Sequence, residues 1–360
     1  MVIEQYTIAT TPKYNFPQPS IDTTLPQRFI EQSIRSLKHV QNQSFQLNQQ
    51  AFQQADNIEL HAHTFHLKMQ PIILRSNHEE TPIAACDTST IKVGETSRGM
   101  LIAVRGANVW KHRKNYKYTR LGPFIFHITE ENKREVYETL EKAYFLSAHK
   151  QDQNSVNLFQ NPTRIASLLE RWLQATLSGT MHDGLVLFDG SLTAGTADTP
   201  AGRLKQILTN ARECRNIVLA FSKMTNLRVN GYLITDVSLQ QRDPLLLETA
   251  GLRPKPPIIL LGEVYVARLC HGNYAFRMDI DKENSTERRI EGVEKLLGND
   301  ILTQGYPETL RLAHILCTFT ANEVIAMQYF IARKYGLRII NRPDMHKLLF
   351  GPYGRGESYS

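Results

Sequence analysis

The sequence predicts an α/β protein with a mixed central sheet flanked by helices, and three observations carry that reading. Short, strongly apolar runs at 82–86, 185–188 and 217–221 have the length and composition of buried strands. Segments 162–178 and 201–213 carry apolar residues at helical spacing between those runs. The first run is followed by Ile91-Lys-Val and Met100–Val104, with Gly94 and Gly99 as turn signals, which reads as an antiparallel meander.

Taken in order, residues 1–22 are polar and irregular. Residues 25–56 place Phe29, Ile30, Ile34, Leu37, Val40, Phe45, Leu47 and Phe52 at a spacing that predicts one or two amphipathic helices. His61, His63 and His66 alternate as exposed positions on one strand face, with no Cys or carboxylate beside them to complete a metal site. Residues 107–120 interleave six basic and three aromatic side chains. That mixture suits phosphate contact and base stacking, and equally a solvated loop or hairpin. Helices follow at 129–147 and, after Asn161-Pro162, at 162–178. Strand 185–189, helix 201–213 and strand 217–221 come next, then a Pro-rich segment at 253–257, strand 258–269 and a hairpin to 274–280. Helices are expected at 287–297, from about 305 to 319, and at 321–335, before a frayed tail from 351. The implied organisation is an N-terminal helical extension over 1–80 with a short strand segment, a core domain over 81–350 and a flexible tail over 351–360.

The 360 residues are 41% hydrophobic and 21% charged, enough for a full core and ordinary for a globular chain. A net charge of +7 is compatible with a polyanionic partner without identifying one. Four scattered cysteines with no CxxC pair read as reduced thiols, and no apolar run reads as long enough to span a bilayer. The expected location is therefore cytoplasmic, with no membrane partner.

The candidate chemistry starts from two aspartates. Asp87 closes the first apolar run and is followed by Thr-Ser-Thr; Asp189 closes Leu-Val-Leu-Phe and is followed by Gly-Ser-Leu. Each strand delivers a carboxylate to its rim, and two such carboxylates are oxygen donors for Mg²⁺ or Mn²⁺. Glu170, on the helix that runs into the Asp189 strand, is the natural third ligand; Glu95, Glu263 and Asp279 are its rivals. Lys223, leaving the 217–221 strand, is placed either to counter phosphate charge or as an ordinary strand-end lysine. His314 sits among Leu310, Leu312, Ala313 and Ile315, where a satisfied core histidine is the default. There is no GxxxxGK[ST] loop and no GxGxxG, and Ser191 lacks the Gly-x-Ser-x-Gly setting of a nucleophile.

Taken together, the Asp87 strand, Glu170, the block Val-Leu-Phe-Asp189-Gly-Ser-Leu, Ala-Phe-Ser-Lys223 and Gly305-Tyr-Pro through Ala-His314 resemble the NurA nuclease family over roughly residues 80–340. The first motif departs from the family's Asp-Gly-Ser, since Asp87 is followed by Thr. The resemblance implies an RNase H-like core and a metal-dependent DNA nuclease, a 5′–3′ exonuclease, a single-strand endonuclease or both. It further implies two Mn²⁺ or Mg²⁺ ions, a homodimer, and work in DNA end resection and repair with the hexameric HerA translocase. Asp87, Glu170, Asp189 and His314 would be the metal ligands, with Lys223 against the DNA backbone. Two rivals use the same residues differently: a sugar-kinase-like ATPase, whose first phosphate loop Asp87-Thr-Ser-Thr-Ile-Lys-Val-Gly resembles, and a catalytically silent DNA-binding adaptor of a translocase.

Overall fold

The computed structural model describes residues 24–38, 40, 44–47, 66–68, 70–144, 161–196, 199–229, 232–236, 244–272 and 274–341. The expectations for residues 1–22, 48–56, His61, His63, 145–147 and the tail from 351 lie outside the described residues.

Three long strands open the core: β1 (Ile83–Thr96), β2 (Gly99–His112) and β3 (Asn115–Thr129), paired antiparallel in sequence order. β4 (Leu185–Asp189) joins the free edge of β1 in parallel, and β5 (Ile217–Ser222) joins β4 in parallel. The order β3-β2-β1-β4-β5, a meander followed by two parallel strands, is the RNase H-like arrangement that the resemblance implies. The sheet then extends antiparallel through β8 (Phe276–Asp281), β7 (Gly262–Arg268) and β6 (Leu245–Ala250), within twelve strands among the described residues.

Helices cover both faces. α1 (Thr24–Lys38), α2 (Lys133–Tyr144), α3 (Asn161–Thr180) and α4 (Ala201–Glu213) belong to one side, where Phe29, Leu140, Ile165, Leu169 and Leu204 meet Ala84, Cys86, Val186 and Phe188. α5 (Thr286–Asn299) and α6 (Glu308–Cys317) belong to the other, where Val293, Leu296, Leu310 and Ala313 meet Ile83, Ala85, Leu187 and Phe221. The interior strands are apolar on both faces because both faces are covered. α7 (Ala321–Tyr335) opens on a capping box in which Thr320 and Glu323 bond each other's backbone N–H.

Four features refine the sequence reading. First, Ser44–Leu47 is a strand, where the periodicity predicts helix; it pairs with Arg338–Asn341 and with the far end of β1. An alternating four-residue stretch satisfies both periods, and the open edge of β1 decides between them. Second, β1 does not stop at Asp87. Thr88–Lys92 continue it, half-buried, because β2 supplies a hydrogen-bonding partner along its whole length. Third, the basic-aromatic stretch 107–120 takes the hairpin alternative, as β2–β3. Lys111 is buried against Asn299 O and Asp300, Tyr116 donates to Asp300 Oδ1 at 3.0 Å, and Arg120 pairs with Glu323, so much of its charge is spent internally. Fourth, 308–335 is apolar and long enough to cross a membrane by composition, with mean hydropathy 1.3 in its most apolar window. It is broken into α6 and α7 by Thr318-Phe-Thr320. His66 is exposed on a two-residue strand.

Candidate active site

Strand parity brings the two aspartates together. Successive side chains alternate between faces. Ala84 and Cys86 point to the α3 face and Ile83 and Ala85 to the α6 face, so Asp87 belongs to the α6 face. β4 repeats the pattern, with Val186 and Phe188 on one side and Leu185 and Leu187 on the other, which sends Asp189 the same way. In the parallel register Cys86 stands opposite Phe188. One step further, Asp87 stands beside Asp189. Gly190 then turns the chain away at φ 96°, a backbone conformation that only glycine adopts without strain.

Lys223, just past β5, places Nζ 2.8 Å from Asp189 Oδ2. From α6, His314 Nδ1 lies 2.7 Å from Asp87 Oδ2, and its half-exposed ring opens toward solvent. Asp87 itself is buried, and its Oδ1 accepts from the Thr88 backbone N–H at 2.7 Å. Glu170 comes from the opposite side. α3 packs Ile165, Leu169 and Leu173 on the other face, and Glu170 reaches over the sheet rim, its Oε1 accepting from Gln174 Nε2 at 3.0 Å.

The electrostatics show that these groups form one cluster. Burial pushes the Glu170 carboxyl up to about 7; Arg171 pulls it down, the Asp87 and Asp189 carboxylates push it up, and Lys223 opposes them. Burial also raises Asp189, which Lys223 counters and the Asp87 charge reinforces. All five residues singled out in the sequence therefore converge. Of the rivals to Glu170, Glu95 pairs with Lys92, while Asp279 is fully buried in a two-pronged bond with Arg277 at 2.7 and 2.8 Å. Glu263 lies elsewhere, raised by burial and balanced chiefly by Arg289.

Two neighbours escaped the sequence reading. Tyr306, which follows Gly305 at φ 83°, is 9% exposed; its phenol oxygen is buried without a hydrogen-bond partner among the described residues, and its ring lies 5.6 Å from Lys223 Nζ. Burial raises its phenol far above the ordinary range, and the Asp189 and Asp87 charges add to this. Cys317 is one helical turn beyond His314 and fully buried, its thiol raised by burial and then by Asp87 and Glu170. The spacing His-x-x-Cys, which places both on one helix face, was the available signal.

Three carboxylates and an imidazole form an oxygen-rich set of the kind Mn²⁺ and Mg²⁺ take. Two of the carboxyls sit above their ordinary range because burial penalises their charge, and the neighbouring carboxylates add to that. The donor set and the cost of burying its charge both fit a bound divalent cation.

No protein-family model and no curated protein matches this sequence. Among solved structures, the NurA nuclease from Sulfolobus solfataricus is similar at 16% identity over 72% of this chain and 87% of that chain, with a TM-score of 0.44. The endonuclease V of Streptomyces avermitilis is similar at 14% identity over 69% and 85%, with a TM-score of 0.32. The endonuclease V of Bacillus subtilis is similar at 10% identity over 73% and 88%, with a TM-score of 0.33. The fold rests on strand order and direction.

Proposed function

We propose that this chain is a divalent-metal-dependent deoxyribonuclease that hydrolyses DNA phosphodiester bonds at the rim of β1 and β4. The observation that supports it most is the convergence of Asp87, Asp189 and Glu170, from two strands and an opposing helix, into one carboxylate cluster whose charge is costly to bury. Asp87, Glu170, Asp189 and His314 are the residues that would hold the metal. Bound there, divalent cations supply Lewis acidity toward the attacking water and the leaving 3′-oxygen.

The remaining work falls to side chains. The Asp87–His314 hydrogen bond fixes the imidazole, so that its other ring nitrogen is held at the open side of the site. Lys223, restrained by Asp189 at 2.8 Å, sets a positive charge where a scissile phosphate needs one. Buried Tyr306 and Phe221 wall the cluster from below and keep its dielectric low. At the tip of the β2–β3 hairpin, exposed Arg113 and Lys114 are candidates for guiding the DNA backbone, in line with the net charge of +7. The same reading includes a homodimer that works with a HerA-like hexameric translocase in end resection; its support is the motif resemblance at 189–192 and 305–314.

The test is cleavage of labelled single- and double-stranded DNA with Mn²⁺. Cleavage is expected to vanish with EDTA and in Asp87→Ala and Asp189→Ala, with folding retained. DNA left intact by the protein, alone and with its translocase, overturns the reading; ATP turnover by this chain alone selects the kinase-like alternative.

A further inference from the structure

The thiol beside the acidic rim has no role in that chemistry, and its position suggests another. Asp87, His314 and Cys317 each offer a ligand atom, and these atoms all lie within 4.8 Å of one another. His314 and Cys317 are three residues apart on one helix, so their spacing is set by α6 rather than by loops. Cys317 Sγ donates to the His314 carbonyl at 3.2 Å and is also within hydrogen-bond reach of the Asp87 carboxylate, weak bonds that are easily exchanged. Tetrahedral zinc, at its usual bond lengths to O, N and S, holds ligand atoms about 3.4–3.6 Å apart. Small side-chain adjustments, which open the 2.7 Å Asp87–His314 hydrogen bond and draw in Cys317, bring this trio to that spacing. The half-exposed imidazole gives an ion a way in.

We propose that Asp87, His314 and Cys317 form an inhibitory site for a thiophilic divalent cation, Zn²⁺ in the first instance. Sulfur decides the selectivity. A thiolate is a poor ligand for Mg²⁺ and Mn²⁺ and a strong one for Zn²⁺, which also outranks Mn²⁺ at nitrogen and oxygen donors. Three protein ligands leave a fourth position for water or a rim carboxylate. Zn²⁺ binding sends the thiol proton to solvent and ties up Asp87 and His314, two of the groups proposed to hold the nuclease metal. The protein would thus be active with hard cations and silenced by zinc. The inhibitory consequence rests on the nuclease reading; the binding does not.

The experiment separates the two. Titration of the full chain with Cd²⁺ and Co²⁺, as zinc stand-ins, is followed by thiolate-to-metal charge-transfer absorption, a signal independent of activity. The wild type is expected to show one saturating thiolate band that Zn²⁺ displaces. Cys317→Ser is expected to abolish it, and His314→Ala to weaken binding roughly 10-fold or more. Persistence of the band in Cys317→Ser would assign it to another cysteine, and its absence from the folded wild type would show that the trio does not close; either result overturns the site. In the cleavage assay, Cys317→Ser should retain Mn²⁺-dependent activity and need roughly 10-fold more Zn²⁺ for half-inhibition. Equal inhibition of both proteins would overturn the regulatory role. If no cleavage is seen with any metal, the charge-transfer titration still decides the site.

Discussion

Carboxylates at two places beside the same sheet are handled in opposite ways. On β8, Asp279 is met by both prongs of Arg277 and by the Leu192 backbone N–H at 3.0 Å, a complete set of partners for a fully buried charge. At the rim of β1 and β4, Asp87, Asp189 and Glu170 push on one another. Lys223, Arg171 and the Asp87-bound His314 offset them. A satisfied buried ion pair holds the loop after β4 in place. Carboxylates left facing each other raise their own proton affinity and lower stability, which a fold tolerates where a cation or substrate completes the balance.

The largest effect should come from exchanging the two treatments. Asp87→Ala is expected to lower DNA cleavage by roughly 10³-fold or more while leaving the melting temperature close to that of the wild type. Asp279→Ala strands a buried guanidinium and should cost about 3–5 kcal/mol in denaturant unfolding. If Asp87→Ala melts as early as Asp279→Ala, the contrast between the regions fails.

A smaller effect is the pH dependence of the metal-free protein. Glu170 is raised from an ordinary 4.5 to about 7, so between those values the native state holds a proton that the unfolded chain has lost. Its contribution to stability is therefore complete below pH 4.5 and disappears as pH rises through about 7. Metal-free melting temperature should fall across that window, and Glu170→Gln, which mimics the protonated carboxyl, should flatten the fall. Parallel profiles for the two proteins would remove Glu170 from the cluster.

The smallest effect is at Tyr306. Its hydroxyl is buried with no partner among the described residues, so Tyr306→Phe should change unfolding free energy by no more than about 1 kcal/mol, toward greater stability if at all. A loss well above that in denaturant melts would mean that the hydroxyl has a partner in solution.

Much of this was legible in the chain. Leu-Val-Leu-Phe-Asp189-Gly reads as a strand and its rim because a run buried on both faces has no polar alternation to blur it, and α4 and α7 fall within the residues that their periodicity marks. Glu170 was legible only as a helix-border residue; its place at the rim depends on how α3 crosses the sheet, which no local pattern encodes. β6 was missed, since Leu-Leu-Leu-Glu-Thr-Ala acquires its strand identity from pairing with β7. Cys317 reads as core because it is core; what distinguishes it is the carboxylate that β1 brings to it from 230 residues away, Asp87.

The central claim is that the rim is a divalent-cation site. Thermal melts with and without Mn²⁺, for the wild type and for Asp87→Asn/Asp189→Asn, test it most directly. In the wild type, Mn²⁺ at 100 times its dissociation constant should add about 2.7 kcal/mol and abolish the loss of stability toward pH 7. The double variant, relieved of its repulsion, should melt higher than the metal-free wild type and ignore Mn²⁺. A wild type indifferent to millimolar Mn²⁺, or a double variant stabilised as strongly, would contradict the account.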